Sequence, residues 1–170
     1  MKEFESWWTI PKWNMTICLP PRCGSSTVLH YLVNEGIFAL RPARASGRMI
    51  MVVRDPVSRF KSLWKSKCRD EEGLWIDDEE NRNVTHDIRG MTPEELITLI
   101  ENDTDPDAHW AKLVDIEAGL STHTVRLKDL SEFLGIPREE NMNVTEGVVK
   151  LDKKTEARVK AWYADDYELL

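Results

Sequence analysis

An apolar run that ends in arginine and passes through proline into a helix carrying two serines can hold a phosphate. Arg54-Asp55-Pro56-Val57-Ser58-Arg59-Phe60-Lys61-Ser62-Leu63-Trp64 has this form. The preceding Met49–Val53 is continuously apolar and reads as a strand buried on both faces. Arg54 then sits at a strand's carboxyl end, where ligands of open α/β sheets bind. Pro56 suits the first position of a helix. Ser58 and Ser62 lie one turn apart on the face that Arg54 can overhang. The plainer alternative is a surface helix with scattered charge, and Lys61, Lys65 and Lys67 are expected to follow it.

A second segment has related chemistry. Met15–Leu19 reads as a strand, Pro20-Pro21-Arg22-Cys23-Gly24 as a turn, and Ser25 or Ser26 as the cap of a helix reaching Asn34 and stopped by Gly36. A glycine-containing turn before a helix start exposes backbone N–H groups, and the helix dipole adds positive character there. Ser25, Ser26 and Thr27 add hydroxyls, and Arg22 adds a full charge. From this segment alone, a plain capped turn fits equally well. The Walker pattern G-x-x-x-x-G-K-[ST] is absent, which removes the main support for a kinase or ATPase. A thiolate phosphatase of the C-x5-R kind needs arginine at position 29 or 24. Those positions are Leu29 and Gly24, so Cys23 reads as a small loop residue.

These segments imply elements to position them. Val28, Leu29, Leu32 and Val33 follow helical spacing, and Ile37–Leu40 reads as a further short strand. Pro56–Lys67 reads as a helix with Phe60, Leu63 and Trp64 inward. Asp70–Arg89 is polar and reads as a long loop. Thr92-Pro93-Glu94-Glu95 is a capping box that opens a helix to about Glu101. Thr122–Leu127 is a strand, Asp129 and Glu132 suggest a second capping box before Gly135, and a helix closes the chain over Asp152–Leu170. Residues 1–14, with Trp7, Trp8 and Trp13 around Pro11, read as an arm packed on the core. Alternating strands and helices predict an α/β fold with a central parallel sheet, in a single domain over residues 1–170.

Composition bounds the reading. The 170 residues are 41% hydrophobic and 31% charged, as in an ordinary globular chain. The net charge of −7 conceals a polarity. Arg22–Arg69 holds ten basic and two acidic residues, whereas Asp70–Asp107 holds fourteen acidic and two basic ones. A basic block in an acidic chain suggests a local polyanionic ligand, and the acidic block argues against a broad nucleic-acid surface. No apolar run is long enough to span a bilayer, and no secretion signal is evident, so no membrane partner and a cytoplasmic setting are expected. The Asn-x-Thr triplets at Asn14, Asn83, Asn102 and Asn143 then read as chance. Three cysteines without a C-x-x-C pair fit a reducing compartment and no metal site.

Residues 54–64 match R-D-P-x-x-R-x-x-S-x-W at every fixed position. This resembles the 3′-phosphate motif of sulfotransferases that use 3′-phosphoadenosine-5′-phosphosulfate (PAPS). Residues 21–27 resemble the same family's 5′-phosphosulfate loop. Asp107-Ala108-His109-Trp110, Val125–Leu130, Asn143-Val144-Thr145 and Tyr163–Leu170 are similar to its carbohydrate-type branch. The resemblance implies a three-layer P-loop-like fold, PAPS as donor, PAP as product and no metal. It places Arg22 where members carry a catalytic lysine or arginine. The 5′-phosphosulfate falls to Arg22, Cys23, Gly24, Ser25, Ser26 and Thr27, and the 3′-phosphate to Arg54 and Ser62. His109 is the first choice for the catalytic base, with His86 and Asp107 in reserve. The family's glutamate after the second strand does not transfer, because Arg41–Gly47 holds no acid. Lys150, Lys153 and Lys154 match too weakly to be assigned.

The implied acceptor is a glycan or small molecule bearing a hydroxyl or amine. The shortness of the chain leaves room for a second copy to complete the cleft. A catalytically inactive PAP-binding or nucleotide-binding module is the competing reading, and a P-loop kinase a more distant one.

Overall fold

The computed structural model describes residues 6–40, 47–68, 86–117, 119–137 and 149–170. Trp7–Ile10 (β1), Met15–Cys18 (β2), Arg48–Val53 (β3) and His123–Arg126 (β4) form one sheet in that spatial order. β2, β3 and β4 run parallel, and β1 lies antiparallel on the edge. The sheet is therefore mixed rather than wholly parallel. The link from β1 to β2 is a single 3-10 turn, Pro11–Trp13, closed by Asn14 at φ 45. So short a link can only return the chain antiparallel, since a parallel return needs a crossover. The stretch expected as an arm thus contributes a strand, and Trp7, Trp8 and Trp13 do pack on the core.

Helices Ser25–Asn34 (α1), Pro56–Lys67 (α2), Pro93–Asn102 (α3), Leu113–Glu117 (α4), Leu130–Leu134 (α5) and Lys153–Trp162 (α6) flank the sheet. All of β2, and Ile50 to Val53 of β3, are buried, so apolar side chains leave both faces of these strands without meeting water. Val28, Leu32, Ile116 and Leu130 join the sheet's apolar cluster. A second cluster gathers Phe60 and Leu63 of α2, Leu96, Ile97 and Ile100 of α3, and Val159 of α6 around Trp110 and Tyr163.

Local chemistry explains most element ends. Asp55 accepts from Ser58 N at 2.8 Å and Pro56 opens α2, so α2 starts where expected. Thr92 and Glu95 form the reciprocal capping box of α3. Other expectations fail. Ile37–Leu40 is not a strand; only Leu40 bridges to Thr9, and Phe38 is 83% exposed. Val33 likewise faces solvent, because α1 buries only the Thr27, Val28 and Leu32 side. Gly24, not Ser25 or Ser26, is the N-cap of α1. Asp129 precedes α5 without a side-chain cap, because a 3-10 turn, Leu127–Asp129, already leads into it.

The final helix stops at Trp162, and a 3-10 segment, Ala164–Leu169, replaces its expected end. Buried Tyr163 caps the helix at φ -96 and ψ 26, and its hydroxyl donates to the Trp110 carbonyl at 2.7 Å. The expected loop up to residue 85, Asn143–Thr145 and residues 41–46 lie outside the described residues.

Candidate functional site

The parallel pairing sets Cys18, the last residue of β2, beside Met51 of β3, which runs two residues further to Val53. Their carboxyl ends deliver Pro20–Gly24 and Arg54–Asp55 to one edge of the sheet. Cys23 N closes a turn on Pro20 O at 3.0 Å. Arg22 and Gly24 both take left-handed backbone, at φ 67 and φ 82. For glycine this is easy, and a Cβ at Gly24 would also lie 2.6 Å from Leu127 Cδ1. For arginine it costs about 1–2 kcal/mol, a strain of the kind found at functional loops. The first bond of the α1 ladder runs from Val28 N to Gly24 O at 3.1 Å, which leaves the N–H groups of Ser25 and Ser26 ahead of it. They stand at the positive end of a ten-residue helix.

The two candidate anion-binding segments are joined. Arg22 Nε donates to Ser62 Oγ at 3.3 Å, and Arg54 Nη1 donates to the Arg22 carbonyl at 2.9 Å. Ser62 is buried, on the inner side of α2. Burial lowers the pKa of both guanidiniums, and the charge of Arg54 lowers that of Arg22 further. Both stay charged, so the site holds cations that an anion would relieve. Cys23 is fully buried in the core, and burial pushes its thiol up, so only its main chain is available to a ligand.

His109 and Asp107 form a dyad. The Asp107 Oδ1 atom accepts from His109 N at 2.8 Å and lies 2.6 Å from His109 Nδ1. A carboxylate can only accept, so Nδ1 carries the proton and Nε2 is left as the basic nitrogen. The imidazole is 18% exposed and the carboxylate 9%, which keeps the ring oriented yet reachable. His86 is 3.6 Å from Asp103, whose Oδ2 also accepts from Trp110 Nε1 at 2.8 Å, and its ring lies 6.0 Å from that of Trp110.

Two residues to which the sequence assigned no role in the site are buried beside it. Lys67, expected on the surface, is 7% exposed. Burial lowers its amine, Arg22 lowers it further, and Asp107 opposes them. Its charge therefore lies within electrostatic reach of both halves of the site. Arg59, 3% exposed, donates to Ala111 O at 2.7 Å, Ala108 O at 3.1 Å, Pro21 O at 3.4 Å and His109 O at 3.5 Å. The inward side of α2, shared with Phe60 and Leu63, is the sequence signal that could have placed both inside.

Among the described residues, no group of three or more His, Cys, Asp or Glu is placed to hold a metal ion. None of their helices is long and apolar enough to cross a membrane. The arrangement sets a cationic loop at a helix start and an oriented imidazole on the two sides of Arg59. It can bind a polyanion and accept a proton beside it.

No curated protein and no solved structure matches the chain. Residues 41–118 match the model of the Sulfotransferase family. The matched stretch contains Arg54–Trp64 and the Asp107–His109 dyad, and the Pro21–Thr27 loop precedes it. Over residues 41–118 the chain is similar to the sulfotransferase family, which supports a transferase.

Proposed function

We propose that this chain is a sulfotransferase that takes its sulfuryl group from PAPS and delivers it to a hydroxyl or amine of a glycan or small-molecule acceptor. The observation that carries the reading is the bonding of Arg22 to both Ser62 and Arg54 at the ends of β2 and β3. It makes one surface out of the two segments that resemble the family's phosphate motifs. The lowered guanidinium pKa values and the N–H groups ahead of α1 fit a ligand with separated phosphates. The burial of β2 and β3 on both faces supports the three-layer P-loop-like architecture within one domain.

PAPS supplies an activated sulfuryl group attached to a phosphate leaving group. Arg54 and Ser62 hold the 3′-phosphate, which separates this donor from other adenylates. Gly24, Ser25, Ser26 and Thr27, with the Cys23 main chain, hold the 5′-phosphosulfate. Arg22 neutralises charge that grows on the leaving oxygen and the equatorial oxygens. The Nε2 atom of His109 accepts the acceptor's proton, and Asp107 fixes the ring and steadies the imidazolium. The three buried free cysteines support a reducing, cytoplasmic setting.

The test is transfer of labelled sulfate from PAPS to a panel of glycan and small hydroxyl acceptors. Label on an acceptor with wild type, and its loss in Arg22→Ala, is the expected result. Binding of PAP with no transfer to any acceptor would assign the chain to the inactive nucleotide-binding modules instead.

A further inference from the structure

We propose that Arg59 is a positioning residue that holds the anion-binding loop and the base-bearing loop in fixed register. The inference rests on the sulfotransferase reading for its kinetic consequence, but its structural core stands without it. A single buried guanidinium donates to carbonyls of two separate loops. On one side it meets Pro21, immediately before Arg22. On the other it meets Ala108, His109 and Ala111, the turn that carries the imidazole. These loops are brought close by the fold yet are far apart along the chain.

The chemistry of arginine explains the choice. Its rigid planar fork can reach several carbonyls at fixed angles, and it stays charged when buried. Lysine offers a compact ammonium on a flexible stem, which cannot span both loops with the same geometry. Arg59 itself sits on α2 three residues before Ser62, so the helix that presents the serine also sets the separation of the two loops. The Asp107–His109 dyad is made within its own turn and does not include Arg59. Loosening Arg59 should therefore displace the imidazole as a unit without changing how it is oriented by Asp107. Such a displacement affects transfer more than cofactor binding.

The test uses the full chain and its Arg59→Lys variant, with Arg59→Met as a second variant should lysine restore the bonds. Hydrogen-exchange mass spectrometry without any ligand reads the tether directly. Exchange should rise at least tenfold in both 20–24 and 107–111 of a variant while α3 and α6 keep their protection. Unchanged exchange in both variants, or a rise spread evenly over the chain, overturns the proposal. The kinetic arm pairs Arg59→Lys with His109→Ala. Arg59→Lys should lower kcat about a hundredfold, should weaken PAP by less than that because the Pro21–Arg22 loop is loosened too, and should cost under about tenfold once His109 is gone. An equal fall in the His109→Ala background would make Arg59 a general structural residue. A wild type that transfers nothing counts against the sulfotransferase reading, while the exchange result still decides the tether.

Discussion

Arg22 Nε and Ser62 Oγ lie 3.3 Å apart, bonded across 40 residues of sequence. This contact turns a helix-start loop and a mid-helix serine into one surface. Either alone is ambiguous, since capped turns and surface serines are common. Joined, and with Arg54 bonded to the Arg22 carbonyl, they concentrate positive charge at the end of a buried parallel pair.

The left-handed backbone at Arg22 predicts a separation of stability from activity. Arg22→Gly and Arg22→Ala both remove the bond to Ser62, but only glycine takes φ 67 without strain. The glycine variant should be the more stable by about 0.5–1 kcal/mol, after its greater unfolded-state entropy is subtracted. Both should lose transfer. Thermal melts run beside the transfer assay check this, and a glycine variant less stable than the alanine one would remove strain from the account.

His109→Gln should lower kcat by about 10²–10⁴-fold, with PAP affinity changed less than about twofold. Asp107→Asn should do less, about tenfold. Both hydrogen bonds of the dyad converge on Oδ1, which asparagine retains, so the ring keeps its tautomer and loses only the charge. Steady-state rates and PAP titrations of both variants read this ordering. An Asp107→Asn variant as damaged as one that lacks the imidazole would place the carboxylate itself in the proton transfer.

Burial, then Arg22, lowers the Lys67 amine from its ordinary range. Its folded pKa thus lies below its unfolded one, and between the two the fold binds fewer protons than the open chain. This group opposes folding below that window, and stability rises as pH climbs through it. A bound anion favours the charged amine and raises it again. PAP binding at alkaline pH, where the phosphates are already ionised, should therefore take up protons. Calorimetry in buffers of different ionisation heat measures the uptake, and Lys67→Met should abolish it. Proton release, or uptake unchanged in that variant, would place Lys67 outside the ligand's field.

The cysteines should be inert in the native protein. Burial pushes Cys68 up to about 12 and raises Cys18 and Cys23 as well. Little thiolate exists near neutrality, and all three are buried. A thiol reagent should find no group in the folded chain and all three in denaturant. Rapid native labelling of Cys23 would reopen a nucleophilic role for it.

The legible parts of the chain were those governed by local chemistry. Asp55 with Pro56, and Thr92 with Glu95, state a helix start within four residues, and α2 and α3 begin there. Arg54 and Arg22 were expected after the ends of two strands, and the structure brings them together with Ser62. What escaped depended on tertiary placement. β1 was hidden by three tryptophans and a proline whose pairing with β2 no local pattern records. Short α4 is held by Asp166, which accepts from Val114 N at 3.1 Å from the far end of the chain. Lys67 looked like surface charge, and its burial on α2 shows only once that helix is packed. Ile37–Leu40 looked like a strand because apolar residues there suggested burial that Phe38 does not have.

The most direct measurement is a calorimetric titration of PAP, with 5′-AMP as the control, into wild type and Arg54→Ala. Wild type should bind PAP more tightly than 5′-AMP. Losing the charge-assisted contact of Arg54 should weaken PAP by about 1.5–3 kcal/mol, or about 10–150-fold, and leave 5′-AMP nearly unchanged. Equal affinity for the two nucleotides, or no binding of PAP, would contradict the assignment of this site to a 3′-phosphorylated sulfate donor.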